Sequence, residues 1–246
     1  GRDHTCAVGS LATGGNVWCW GNGGFGKSAH SLTPQQMNGI GNVIAVSAGN
    51  EHTCALINDG TVSCWGDNLS GQLGDGTSAS RYWPMLIPNF SNITQISAST
   101  FSNCALDATH QVWCWGYVYV NGSSRIVTPQ LIANLPPITN ISGGDLQFCG
   151  LSTTATVWCW TLTGSPPFPA QQIAGLTDVS QISSGTNHSC AIVGSGITSK
   201  VKCWGDNTYG QLGDGTADIL PSPQALDPQI IIGPNRDFIF DDGFDG

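Results

Sequence analysis

The chain has 246 residues, a net charge of −9 and only seven Lys and Arg, so it lacks the clustered cations that a nucleic-acid surface needs. Charged residues make up 9% of it, against a typical quarter, and 33 Gly and 13 Pro punctuate it, which excludes a mainly helical protein. Nine Trp and eight Phe exclude disorder, and no apolar run approaches the roughly 20 residues of a membrane helix, so no membrane insertion is expected.

Ten cysteines in five pairs organise the rest: Cys6 and Cys19, Cys54 and Cys64, Cys104 and Cys114, Cys149 and Cys159, Cys190 and Cys203. Each second member precedes a Trp, and these members recur at spacings of 45, 50, 45 and 44 residues. A period of that size marks one supersecondary unit repeated and stacked. The units fall at about 1–42, 43–92, 93–137, 138–178 and 179–226, with 227–246 a closing strand or C-terminal tail.

The first unit opens on HTCAV and returns through VWCWG, so that Cys6 faces Cys19 as Val8 faces Val17. Phe25 sits in its loop, and a strand led by Pro34 follows. Gly1 aligns with Gly49, so this unit lacks its innermost strand. The second unit has that strand at 43–49, then HTCALINDGTVSCWG, in which Leu56 opposes Val62 and Asn58, Asp59 and Gly60 make the turn. Its loop carries Tyr82 and Trp83 before a strand led by Pro84. The third unit runs from Ile93 through SNCALDATHQVWCWG to a loop with Tyr117 and Tyr119 and a strand led by Pro129. The fourth runs from Ile138 through QFCGLSTTATVWCW; its eight-residue loop ends on Phe168, before a strand led by Pro169. The fifth starts at Val179, pairs Cys190 with Cys203 as Ile192 with Val201, holds Tyr209 in its loop and ends on a strand led by Pro223.

Four short antiparallel strands per period describe the blade of an all-β propeller. Opposed positions on paired strands bring Cβ atoms close enough for a disulfide, so five bridges within units are expected. An even cysteine count in register indicates an oxidising compartment, either extracellular or at the periplasm or cell surface.

Candidate chemistry is sparse. His4, His52 and His188 share one repeat position, but Ser102 and Gln147 replace them in the other units, so no metal ligand set closes and a buried structural role is expected. Asp67, Asp75, Asp206 and Asp214 lack the order of a calcium loop and suit turns that bond their own backbone. The G-x-G-x-x-G of 21–26 occupies a repeat loop and lacks the strand and helix of a nucleotide site. The paired Trp18 and Trp20, Trp113 and Trp115, Trp158 and Trp160 point away from their cysteine and are expected to fill the space between blades. No catalytic residues stand out, and no enzyme, cofactor or metal is expected.

Residues 65–77, WGDNLSGQLGDGT, and 204–216, WGDNTYGQLGDGT, agree at 11 of 13 positions. This pattern, after a DGTVxCWG-like hairpin, resembles the repeat of the regulator of chromosome condensation family, and its hairpin cysteines resemble an exported bacterial branch. The resemblance implies a seven-bladed ring, of which five units make a partial or open array. The final FIFDDGFDG resembles a tail of exported proteins. Exported relatives include a β-lactamase inhibitor, so the resemblance implies a scaffold that binds another protein. Guanine-nucleotide exchange, the family's cytosolic activity, is excluded by the oxidising compartment. Phe25, Tyr82, Trp83, Tyr117, Tyr119, Phe168 and Tyr209 are the candidate binding residues, because rigid scaffolds with variable aromatic loops bind at little ordering cost. A carbohydrate- or wall-binding module using exposed Trp faces, and an enzyme acting on polysaccharide, are the alternatives.

Overall fold

A computed structural model describes residues 1–10, 14–22, 31–118, 124–145, 147–162, 170–196 and 199–219. Those residues form five antiparallel meanders. Blade one is β1 (His4–Val8), β2 (Val17–Gly21) and β3 (Ser31–Gln36). Blade two is β4 (Val43–Ala48), β5 (His52–Ile57), β6 (Val62–Gly66) and β7 (Arg81–Leu86). Blade three is β8 (Ile93–Ala98), β9 (Ser102–Asp107), β10 (Val112–Val118) and β11 (Ser124–Leu131). Blade four is β12 (Ile138–Gly143), β13 (Gln147–Ser152), β14 (Val157–Thr161) and β15 (Ala170–Gln172), and blade five is β16 (Val179–Ser184), β17 (His188–Val193) and β18 (Lys200–Gly205). The strand expected at Pro223 and the closing strand or tail of 227–246 lie outside the described residues.

The registers match the sequence pattern: Val8 pairs with Val17, Leu56 with Val62 and Ile192 with Val201. Every cysteine therefore faces its partner, and all five bridges close inside their own blade with Cα atoms 4.1 Å apart. That approach is the close one of a non-hydrogen-bonded antiparallel pair, where side chains meet most directly.

The cores lie between blades rather than within them. The Cys54–Cys64 bridge, Leu56 and Val62 of blade two pack with Ile96, Ala105 and Trp115 of blade three. The Cys104–Cys114 bridge, Leu106 and Val112 pack in turn with Ile141, Phe148 and Trp160 of blade four, and Cys149, Cys159, Leu151 and Val157 with Ile182, Ala191 and Trp204 of blade five. One face of each blade thus offers sulfur and aliphatic groups, and the next blade covers it with an indole.

This splits the paired tryptophans, contrary to the expectation that both fill the gap. Trp115 and Trp160, the second members of their pairs, are buried, as are the unpaired Trp65 and Trp204, whereas Trp113 and Trp158 are half-exposed, Trp18 is 39% exposed and its partner Trp20, in the first blade, is half-buried. Both rings share a face, but only the second lies within the span covered by the preceding blade. The first lies nearer the hairpin turn, at the margin of that span.

Polar bonds fix the stacking. The hydroxyls of Ser47, Ser97 and Ser142 accept from the N–H of Ala98, Gly143 and Ser184 on the next innermost strand. His52 Nε2 donates to Asn103 Oδ1 at 3.0 Å, and His4 Nε2 bonds Thr53 Oγ1 at 2.9 Å. His4 and His52 are buried, as expected, and tie blade to blade, whereas His188 of blade five is half-buried. Each imidazole also lies over the glycine three residues before it, where a Cβ at Gly49 would sit 2.1 Å from the His52 ring.

At the opposite end, hairpin turns feed the next blade: Gly60, His110 and Ala155 each accept from the first residue of the following innermost strand, Ile93, Ile138 and Val179. Gly60 takes φ +81° there, and Ala155 is held at φ +58°, where its Cβ crowds the backbone. Ala155→Gly is expected to raise stability by about 1 kcal/mol, read as a higher urea midpoint at unchanged slope.

Candidate recognition surface

The strands run so that the long loops gather at one end, here the loop end, and the hairpin turns at the other. In blade two the loop after Gly66 is organised by Asn68, which is fully buried. Its Nδ2 donates to the carbonyls of Thr77 and Ala79, both at 3.1 Å, and its Oδ1 accepts from Leu73 N at 2.9 Å. Asn207 repeats this in blade five with Thr216 O and Leu212 N. The acidic residues weighed as calcium ligands serve these turns. Asp75 takes the N–H and hydroxyl of Thr77, Asp206 those of Thr208 and Asp214 those of Thr216. Among the described residues no three His, Cys, Asp or Glu come together as a metal site.

The blade-two loop is pinned to blade three. Gln72 O accepts from Trp115 Nε1 at 2.9 Å and from Asn103 Nδ2 at 2.7 Å, and Gly76 N donates to Val127 O at 2.8 Å. Blades four and five lack this clasp, since the Nε1 atoms of Trp160 and Trp204 are buried without a partner. The preceding units there lack the GQLG segment that would present the carbonyl.

The pinned loop of blade two delivers the chain into a bulged outer strand. Cys64 pairs with Met85 and Gly66 with Arg81, so Trp65 alone opposes Tyr82, Trp83 and Pro84. The same bulge holds residues 32–34 in blade one and 127–129 in blade three. In these three blades the proline (Pro34, Pro84, Pro129) therefore does not lead the outer strand, as the sequence pattern suggests, but closes a bulge within it, where an edge strand loses no ladder bond to a missing N–H. Bulges turn side chains out of the pleat. Tyr82 is 60% exposed, Trp83 49% and the equivalent Leu32 of blade one 96%. Arg81, the bulge's first neighbour, is fixed by Asp75 at 3.2 Å.

Of the candidate residues, Tyr82 and Trp83 stand together on this bulge. Tyr209 is 92% exposed on the Asn207-centred loop, three blades away. Tyr117 is half-buried at the loop end of blade three against Phe101, ring centroids 6.2 Å apart. Phe25, Tyr119 and Phe168 lie outside the described residues, as do Gly23 to Gly26 of the G-x-G-x-x-G segment. Sequence reading missed Met85 and Leu86, which extend the apolar surface of β7 and are each about half exposed. The signal was present as a strand of RYWPML, apolar at consecutive positions instead of alternating.

Electrostatics here serve stability. Burial pushes the His52 imidazole down from its ordinary 6.5 to about 4, although Asn103 favours its charged form. An unfolded His52 takes its proton near 6.5 and the folded one only near 4, so the unfolded state binds more protons between those values. Stability is expected to be whole above about pH 6.5 and to fall by up to about 3 kcal/mol as the pH drops towards 4. Urea midpoints at pH 7.5 and 4.5 check this, and His52→Gln should remove its share of the difference while leaving that of His4, whose imidazole is likewise pushed down to about 4 by burial.

Comparison with known proteins follows the same lines. The model of the regulator of chromosome condensation (RCC1) repeat matches residues 43–72 and 179–211 in one form and 59–106 in another. The human E3 ubiquitin-protein ligase HERC2 is 40% identical over 73 residues, which is 27% of this chain and 2% of that protein. Human WBSCR16 superposes with a TM-score of 0.76 at 21% identity, covering 92% of this chain and 65% of that structure. Yeast RCC1 (Prp20), solved bound to Kap60, gives 0.76 at 18% identity, covering 90% of this chain and 59% of that one. The chain thus spans less than two thirds of each of these proteins.

Proposed function

This chain carries the regulator of chromosome condensation repeat and belongs to that repeat family, and from that premise we propose that it is a secreted recognition scaffold that binds another protein. The supporting observation is the β7 bulge, where Tyr82 and Trp83 stand in solvent on a strand fixed between the blade-two bridge and a loop clasped by blade three. Aromatic anchors on a rigid support need little ordering on binding and dominate the energetics of protein interfaces. Five bridges, each closed inside its own blade, suit an oxidising exterior. The binding reading agrees with yeast RCC1, solved in complex with a protein.

The test is affinity capture from the native extracellular milieu with the intact protein, followed by titration of the retained protein. Tyr82→Ala together with Trp83→Ala is expected to weaken that binding at least about 100-fold, since two central aromatic anchors are lost. Retention of full affinity by the double variant would place the binding surface elsewhere.

A further inference from the structure

A concavity of about 350 Å³ lies between the linker that leaves blade two and the turn and outer strand of blade three, and its lining shares no residue with the Tyr82–Trp83 bulge. Its wall is a pair of rings: Phe90, in the linker between the blades, meets Trp113 edge-on, with centroids 6.2 Å apart and planes at 77°. Trp113 is held in place. Its Nε1 donates to Asp107 Oδ2 at 2.9 Å, while Asp107 Oδ1 takes the N–H groups of Thr109 and Gln111. That carboxylate is the one charged group lining the cleft, and both of its oxygens are committed. At the mouth, the side chains of Asn89, Ser91 and Asn92 are exposed and make no hydrogen bond within the described residues.

A fixed indole face beside uncommitted amides and a hydroxyl, with no free charge, is a definite recognition chemistry. It suits a ring that is apolar on its faces, uncharged, and bordered by groups that both donate and accept. We propose that this cleft binds a neutral hexopyranose unit of a glycan. The C–H face of the sugar stacks on Trp113, and its hydroxyls bond Asn89, Ser91 and Asn92, both donating and accepting. A proline-rich peptide would use the rings but offer only carbonyl acceptors, leaving the amide oxygens unpaired.

The repeat itself supplies a contrast. The equivalent cleft between blades one and two, about 400 Å³, has Ser63 in the place of Trp113 and Ile40 in the place of Phe90, with no ring in its lining. The concavity belongs to the architecture of the repeat, and the aromatic pair to the junction of blades two and three. This site is independent of the protein-binding reading, since neither Tyr82 nor Trp83 lines it.

The test is calorimetric titration of the intact protein with cellotetraose, chitotetraose, mannotetraose and decaproline, with saturation-transfer NMR on any binder. At least one tetrasaccharide should bind saturably through its ring protons. Trp113→Ala and, separately, Ser91→Arg should each weaken it at least about tenfold, while Trp18→Ala leaves it unchanged. Ser91 is on the surface, so Ser91→Arg decides the matter if Trp113→Ala fails to fold. Binding of none of the tetrasaccharides, binding indifferent to both cleft variants, or binding of decaproline alone would overturn the proposal.

Discussion

Replacing Trp115 with Ala is expected to lower the unfolding free energy by about 4 kcal/mol. The indole is fully buried and packs against Cys54, Cys64, Leu56, Val62, Leu73 and Ile87, with Phe90 edge-on at 5.6 Å. Truncation opens a cavity between two sheets that cannot close independently, because serine and backbone bonds fix their spacing. It also leaves Gln72 O without its indole donor. The effect separates from that of Trp160, whose Nε1 has no acceptor to lose. Trp115→Phe should therefore cost more than Trp160→Phe, by about 1 kcal/mol. Urea unfolding followed by circular dichroism measures all three, and a loss below about 1 kcal/mol for Trp115→Ala would contradict the packing between blades two and three.

Removing the Cys104–Cys114 bridge by the double change to Ala is expected to cost about 3 kcal/mol from chain entropy alone, since it closes a short loop. Further loss should follow from the core it shares with Phe148 and Trp160. Reduction should also be ordered. Cys6 and Cys190, at the two ends of the array, are half-buried, whereas the cysteines of blades two and three are at most 1% exposed. With dithiothreitol and timed alkylation, Cys6–Cys19 and Cys190–Cys203 should open first. The bridges of blades two and three should open only as the protein unfolds. Simultaneous loss of all five would mean that burial does not protect them.

Much of this was legible in the residues. Cys54 opposite Cys64 forces Leu56 opposite Val62, and a turn of Asn58, Asp59 and Gly60 fits nothing else, so hairpin register could be read directly. The Asn68 loop could be read as a repeat but not as a hub, because one amide reaching Leu73, Asp75, Thr77 and Ala79 depends on how the loop folds back. The outer-strand bulge was hidden for a physical reason. Proline at position 84 fixes its own φ and removes a donor, which suits the start of an edge strand and the end of a bulge equally. The division of labour between Trp113 and Trp115 was hidden as well. Strand alternation gives both one face, and only the lateral extent of the preceding blade decides which is covered. The link from His52 to Asn103 crosses 51 positions, yet a local trace existed: glycine precedes each histidine by three residues, and Ser99 replaces it where Ser102 replaces histidine.

The arrangement in which each blade is stapled within itself and sealed by the next is tested most directly by mapping the bridges of the unreduced protein. Pepsin digestion at acid pH suppresses thiol exchange, and mass spectrometry then identifies the linked peptides. The expected result is five linkages, Cys6 to Cys19, Cys54 to Cys64, Cys104 to Cys114, Cys149 to Cys159 and Cys190 to Cys203, with no free thiol. A peptide joining cysteines of two different blades would contradict it.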